Sequence, residues 1–170
     1  MDFRVVEDNA GLNKALFDVT HGLYILTANR EKPNGQCIDS LTQVTNMPPR
    51  IAMCIGKKSL TYEMIAETGK FAVNAIDRKN SAWMEEVKHF GFQSGRNVDK
   101  FADYPYELGE HGSPILPNAK AFYECTVIPE MSMDMETHML YVAMVDMAGT
   151  REDGESLTYN EYRSVKFKGG

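Results

Sequence analysis

Three segments of this 170-residue chain place cations, hydroxyls and turn-forming residues at spacings that suit a phosphorylated aromatic ligand. The first, Lys57-Lys58-Ser59-Leu60-Thr61, follows a short apolar run and opens a helical pattern. Free N–H groups at a helix N-terminus, two ammonium groups and two hydroxyls can together hold a phosphate. A serine cap flanked by solvated lysines gives the same pattern. The second segment, Ser94-Gly95-Arg96-Asn97-Val98-Asp99-Lys100-Phe101, sets a guanidinium fork and an ammonium on a glycine-bent loop. Its plain alternative is a solvated Arg96 and Lys100 beside Asp99. The third, Asp39-Ser40-Leu41-Thr42-Gln43-Val44-Thr45, offers hydroxyls and backbone groups to the edge of a planar heterocycle, whose carbonyls and ring nitrogens need uncharged partners. Strand threonines facing water read alike.

Other chemistries find no support. A nucleoside-triphosphatase loop needs a glycine five positions before Gly56-Lys57-Lys58-Ser59, where the chain has Ile51. No Gly-x-Gly-x-x-Gly run follows a strand, so a Rossmann dinucleotide site is not expected. His21, His89, His111 and His138 share no metal-ligand spacing, and Gly91-Phe92-Gln93-Ser94-Gly95 is not a nucleophile elbow. Cys37, Cys54 and Cys125 are odd in number and widely spaced, which fits small buried hydrophobes in a reducing compartment. With 18 Lys plus Arg against 24 Asp plus Glu, the net charge of −6 argues against nucleic acid but leaves a single phosphate open. No run is long and apolar enough for a membrane span, and the charged start does not suit a signal peptide, so a cytoplasmic protein without membrane partners is expected.

The elements that must position these segments fit one domain over residues 1–170, with 43% hydrophobic residues to bury. Leu12, Ala15, Leu16 and Val19 predict an opening amphipathic helix, and residues 21–28 a strand. Lys32-Pro33-Asn34-Gly35 predicts a hairpin turn leading to one long arm over residues 37–45, which Met47-Pro48-Pro49 stops. A short strand at 51–55, a helix at 60–67 closed by Gly69, a strand at 71–76 and a helix at 81–90 capped by Gly91 follow. Residues 91–118 read as a packed, Ω-like loop. Strands at 119–128, 137–147 and 157–167 finish the chain. The expected fold is mainly β with inserted helices, a mostly antiparallel barrel of six or seven strands. Among eleven methionines, Met131, Met133, Met135, Met139 and Met144 cluster in a stretch expected to serve adaptable packing.

The order of segments, His21-Gly22-Leu23-Tyr24-Ile25-Leu26-Thr27, Ser40 to Thr45 before Pro48-Pro49, Lys58-Ser59-Leu60-Thr61, Phe71-Ala72-Val73-Asn74, then Phe90 to Arg96 with Asp99-Lys100-Phe101, resembles the flavin reductase family of FMN-binding split β-barrels. Thr137-His138 and Leu157-Thr158-Tyr159-Asn160-Glu161-Tyr162 are similar to the branch in which a flavin domain often precedes a rubredoxin module, whose cysteine pairs this sequence lacks. The resemblance implies a homodimer holding FMN, with Ser40, Leu41, Thr42 and Gln43 bordering the ring and ribityl chain. Asp39 stands beside them where many members have a neutral residue. Lys57, Lys58, Ser59 and Thr61 would hold the phosphate, with Ser94, Arg96 and Lys100 close by. His138 would sit at the reactive face of the flavin or at the nicotinamide. The implied activity is hydride transfer from NADH or NADPH to flavin N5, with electrons passed on to an acceptor such as rubredoxin. A non-enzymatic, flavoredoxin-like electron carrier would use the same site.

Overall fold

The computed structural model describes residues 2–168. Its centre is an eight-stranded sheet built from antiparallel pairs. In chain order the strands are β1 (Tyr24–Asn29), β2 (Pro33–Ile38), β3 (Leu41–Asn46), β4 (Pro49–Gly56), β5 (Lys70–Ala75), β8 (Ala121–Val127), β9 (Met133–Met135) and β10 (His138–Thr150). The spatial order is β2-β1-β5-β8-β10-β4-β3, with β9 folded back on β10. A separate two-stranded ribbon, β6 (Glu107–Leu108) and β7 (Pro114–Ile115), lies inside the long loop. Four helices accompany the sheet among the described residues: α1 (Asn9–Ala15), α2 (Leu60–Thr68), α3 (Trp83–Gly91) and α4 (Tyr159–Lys168).

Period-two alternation explains how one sheet serves two cores. In β1, Leu26 and Ala28 join Val73, Met53, Ile55, Met64 and Ile65 in a core beneath α2. Their neighbours Leu23 and Ile25 turn the other way, onto Val87, Phe90, Phe101, Leu116 and Leu157 beneath α3 and the long loop. The central strands β1 and β5 are therefore buried on both faces.

Several elements differ from their sequence expectation. The hairpin turn is Arg30–Lys32, because Asn29 pairs with Pro33, and Asn34-Gly35 lies inside β2. The arm expected over 37–45 breaks at Asp39-Ser40 into β2 and β3, which stand at opposite ends of the sheet order and leave the barrel split between them. Where a strand is expected over 157–167, the chain forms α4 from Tyr159: Thr158 Oγ1 accepts the Glu161 N–H at 3.2 Å and Glu161 Oε2 accepts the Thr158 N–H at 3.1 Å, a reciprocal capping box. Gly91 is the last residue of α3 instead of its cap. The stripe on α1 meets no core in the single chain, with Leu12, Leu16 and Val19 all exposed, and the helix stops at Ala15 before a 3₁₀ turn. Met131, Met133 and Met135 are also exposed rather than packed.

The long loop is packed, as expected, and buried polar side chains fix it. Asn74 on β5 accepts the Leu116 N–H at 2.8 Å and donates to Pro114 O, while the fully buried Thr27 hydroxyl donates to Pro114 O at 2.6 Å. Glu124 on β8 accepts the N–H groups of Glu110 and His111. Replacing Asn74 by Ala leaves the buried Leu116 N–H without its acceptor and is expected to cost about 1–3 kcal/mol. Urea unfolding of Asn74→Ala checks the cost, and faster proteolysis within residues 105–118 checks its location.

Candidate functional site

Residues 34–43, which run from β2 across the split to β3, border three clefts. The first, of about 270 Å³, lies between β2, the N-terminus of α2 and the 93–95 turn, and is lined by Asn34, Gln36, Cys37, Ser59, Ser94, Gly95 and Lys100 among others. The second, of about 210 Å³, shares Cys37 and Gly91 with the first and adds Ile38, Asp39, Phe92 and Tyr159. The third, of about 470 Å³, is walled by Leu41, Thr42, Gln43, Tyr24, Tyr123 and Arg50. A cleft of about 570 Å³ between α3 and the long loop includes none of the residues expected to bind the cofactor.

The first cleft has the chemistry of an anion site. Lys100 is only 3% exposed, and its ammonium donates to Gly35 O at 2.7 Å and Phe90 O at 2.9 Å. It forms no ion pair among the described residues, so three protons meet two protein acceptors. Burial holds its pKa below the ordinary lysine value. Ser59 caps α2, its Oγ accepting the Tyr62 N–H at 3.1 Å, and Ser94 Oγ accepts the Arg96 N–H at 3.2 Å. Neither hydroxyl donates to another described group, so each retains a proton for a ligand. Close packing shapes the floor: a Cβ on Gly95 would lie 2.1 Å from Asn34 Oδ1, so only glycine lets the turn approach β2.

Of the other cations, Arg96 and Lys57 are committed elsewhere. Arg96 reaches across to α2, donating to Glu63 Oε1 at 2.5 Å and to Lys58 O at 3.2 Å. Lys57 pairs with Asp134 at 2.7 Å, while the exposed Lys58 makes no side-chain bond among the described residues. Lys57, Lys58 and Arg96 thus ring the N-terminus of α2 without lining the cleft. Thr61 lies fully buried behind it, its Oγ1 accepting from Asn34 Nδ2 at 2.9 Å, and so has a packing place instead of an open one. His138 opens β10 opposite Gly56, on the same strand end as Lys57, with Thr137 Oγ1 2.9 Å from its Nδ1.

On the opposite side of the split, Asp39 and Ser40 turn the chain, the Ser40 hydroxyl lying 3.4 Å from Asp39 Oδ1. Gln43 donates to Thr45 O and Asn46 Oδ1. The residue that sequence reasoning missed here is Arg50: it lines the third cleft, and its buried Nε has no hydrogen-bond partner among the described residues. An arginine following two prolines at a strand start reads as solvated, so nothing local marked it. The cysteines carry no nucleophile, since burial pushes Cys37 up to about 12 and raises Cys54 and Cys125. No group of three or more metal-ligating side chains occurs among the described residues, and no described helix is long and apolar enough to cross a membrane.

A mostly antiparallel sheet, split between β2 and β3 and accompanied by few helices, is a fold class with known members. Residues 16–167 match the family model described as flavin reductase like domain, and the chain belongs to that family. It is 37% identical over 155 residues to a high molecular weight rubredoxin of Moorella thermoacetica, covering 90% of this chain and 66% of that protein, slightly under two thirds of its length. It is 32% identical over 155 residues to a ferric-chelate reductase (NAD(P)H) of Archaeoglobus fulgidus, covering 90% and 89%. In fold it resembles an NADH:FAD oxidoreductase of Streptomyces globisporus, with TM-score 0.82, 23% identity and 93% of each chain covered. A flavoredoxin from Methanosarcina acetivorans gives TM-score 0.75 at 24% identity, over 89% of this chain and 77% of that one.

The lowered Lys100 pKa has a signed consequence. Between that value and the ordinary 10.5, the unfolded chain holds a proton that the folded chain gives up, so this site makes stability rise with pH across that window. Lys100→Met is expected to remove that rise, which the difference between wild-type and variant unfolding free energies, measured from neutral pH to about 10.5, tests directly.

Proposed function

We propose that the chain is an NAD(P)H-dependent flavin reductase that holds FMN by its phosphate in the Lys100 cleft, acts as a homodimer and passes electrons to a second acceptor. The carrying observation is the buried, acid-free ammonium of Lys100, flanked by the Ser59 and Ser94 hydroxyls at the start of α2. This donor set fits a phosphate monoester: a charged donor in a low-dielectric site, hydroxyl donors and a helix N-terminus, with no carboxylate lining the cleft.

When bound, the flavin supplies the hydride-accepting and electron-transferring chemistry, which needs no protein nucleophile. The chain's part is to bind, orient and exclude water. Lys100, Ser59 and Ser94 anchor the phosphate end. Asp39, Ser40, Leu41, Thr42 and Gln43 carry the backbone past the ribityl and ring end, where Tyr24, Leu41 and Tyr123 offer apolar wall and Arg50 a guanidinium at the cleft's edge. Lys57, Lys58 and Arg96 supply a peripheral positive field, weakened where Asp134 and Glu63 pair with them. His138 stands at the strand end beside Gly56, able to donate to or accept from a nicotinamide amide. Exposed apolar residues that no core of the single chain uses, including Leu16, Phe17, Val44, Met47 and Met133, support the dimer. Electron delivery to a redox protein is supported by a relative that is itself named a rubredoxin.

Three outcomes are expected. Purified protein retains a flavin absorption band through gel filtration, and the band bleaches on anaerobic mixing with NADH or NADPH. Retention without bleaching would instead make the chain an electron carrier reduced by a partner protein. Lys100→Met weakens FMN by at least about tenfold while changing riboflavin by less than about twofold; equal losses would remove Lys100 from the phosphate. Sedimentation equilibrium gives twice the chain mass, and a single-chain mass would refute the dimer.

A further inference from the structure

Lys100 is held from both ends. Its ammonium is fixed by Gly35 O and Phe90 O, and its carbonyl lies 2.7 Å from His89 Nε2. A carbonyl only accepts, so Nε2 carries the proton and donates. The His89 ring has little freedom to leave this bond. It stacks on Tyr104 with centroids 4.8 Å apart and planes 25° apart, and meets the Phe90 ring edge-on at 4.8 Å. Tyr104 is anchored in turn, its hydroxyl donating to Glu86 Oε1 at 2.7 Å, and Glu86 is only 5% exposed. The main-chain carbonyl of His89 accepts the side-chain amide of Gln93 at 2.9 Å, and Gln93 itself borders the anion cleft. His89 lines the cleft between α3 and the long loop, which shares Gln93 with the anion cleft, and is not itself among the residues lining the anion cleft.

We infer that His89 is a positioning residue for the flavin phosphate, acting through its Nε2–H bond to Lys100 O to hold the Lys100 ammonium in the cleft. The inference rests on the phosphate reading of that cleft. Without the bond, the backbone at residue 100 loses its direct hydrogen bond to α3 and is placed there only by the packing of neighbouring Phe101 on Phe90, so the lysine stem starts from a less closely defined point. A phosphate contact worth a tenfold preference depends on placement within a few tenths of an ångström, so loss of the anchor lowers phosphate affinity without touching the ring.

The test separates ring packing from the hydrogen bond. His89→Phe keeps an aromatic between Phe90 and Tyr104 but has no N–H. His89→Gln keeps an amide N–H at nearly the same reach. The readout is the ratio of riboflavin to FMN dissociation constants by flavin fluorescence quenching, with Lys100→Met in parallel. His89→Phe is expected to lower the ratio at least about fivefold, and His89→Gln to restore most of it. An unchanged ratio in His89→Phe, while Lys100→Met lowers it, overturns the role of His89 and leaves the phosphate reading standing. An unchanged ratio in Lys100→Met overturns the phosphate reading itself, and the inference with it. Should His89→Phe fail to fold, the unmodified protein decides: FMN, but not riboflavin, is expected to shift the ¹H–¹⁵N signals of the His89 ring, and identical responses to both overturn the inference.

Discussion

Placing the Lys100 ammonium at 3% exposure imposes a condition on every element around it. An isolated buried charge costs several kcal/mol unless oriented dipoles replace its hydration. Here the dipoles are main-chain carbonyls. Phe90 O belongs to the last turn of α3, where unpaired carbonyls concentrate the negative end of the helix dipole, and Gly35 O belongs to β2. For both to reach one nitrogen, β2 and the end of α3 must approach closely. The sequence permits this at Gly35, where a Cβ would lie 3.0 Å from the Phe90 ring. The ion therefore fixes the distance between sheet and helix on one wall of the cleft, and Ser59 at the start of α2 supplies another.

The topology makes that geometry useful. Because the chain crosses from one end of the sheet order to the other at Asp39-Ser40, a stretch of ten residues borders the anion cleft at one end and the larger, partly apolar cleft at the other. A ligand with an anionic end and a planar end matches such a stretch better than a compact one does. The split also explains why β3 carries exposed Thr42, Gln43 and Val44 on an edge strand, which folded proteins normally keep short or cover.

Much of this was legible in the sequence, and the failures share a physical cause. Helix α2, its Ser59 cap and its Gly69 stop at φ 66° were readable because local capping chemistry determines them. Strand β5 was readable as an apolar run, and the long loop as packed because it keeps aromatic residues. The turn at Asn34-Gly35 failed because glycine is selected both for positive φ and for close approach, and here only close approach operates. Helix α4 failed because Leu157, Tyr159, Tyr162 and Val165 have strand-like composition, although Thr158-x-x-Glu161 carried a capping-box signal that should have outweighed it. At the site, residue types marked segments that the structure sets beside the clefts but could not assign their partners. Lys57, Arg96 and Lys100 look equivalent in a sequence, yet two of them meet carboxylates and one does not.

On the proposed reading, that difference decides which cation of an acidic protein would meet a phosphate. The pairs Lys57–Asp134 and Arg96–Glu63 are surface pairs, with Lys57 and Arg96 side chains 31% and 44% exposed, so each holds its geometry weakly and responds to salt. Charge of this kind helps little against a net −6, and it does not distinguish one phosphate from many. Lys100 behaves differently because low dielectric strengthens its attraction for an arriving anion, while the screening length of about 8–10 Å removes most repulsion from distant carboxylates. Selectivity then comes from shape. An anion must fit into a cleft of about 270 Å³ to reach an ammonium that bulk solvent scarcely touches. A terminal phosphate on a slender chain can enter, and a polyanion backbone, which needs many surface cations in a row, gains nothing from a single buried one.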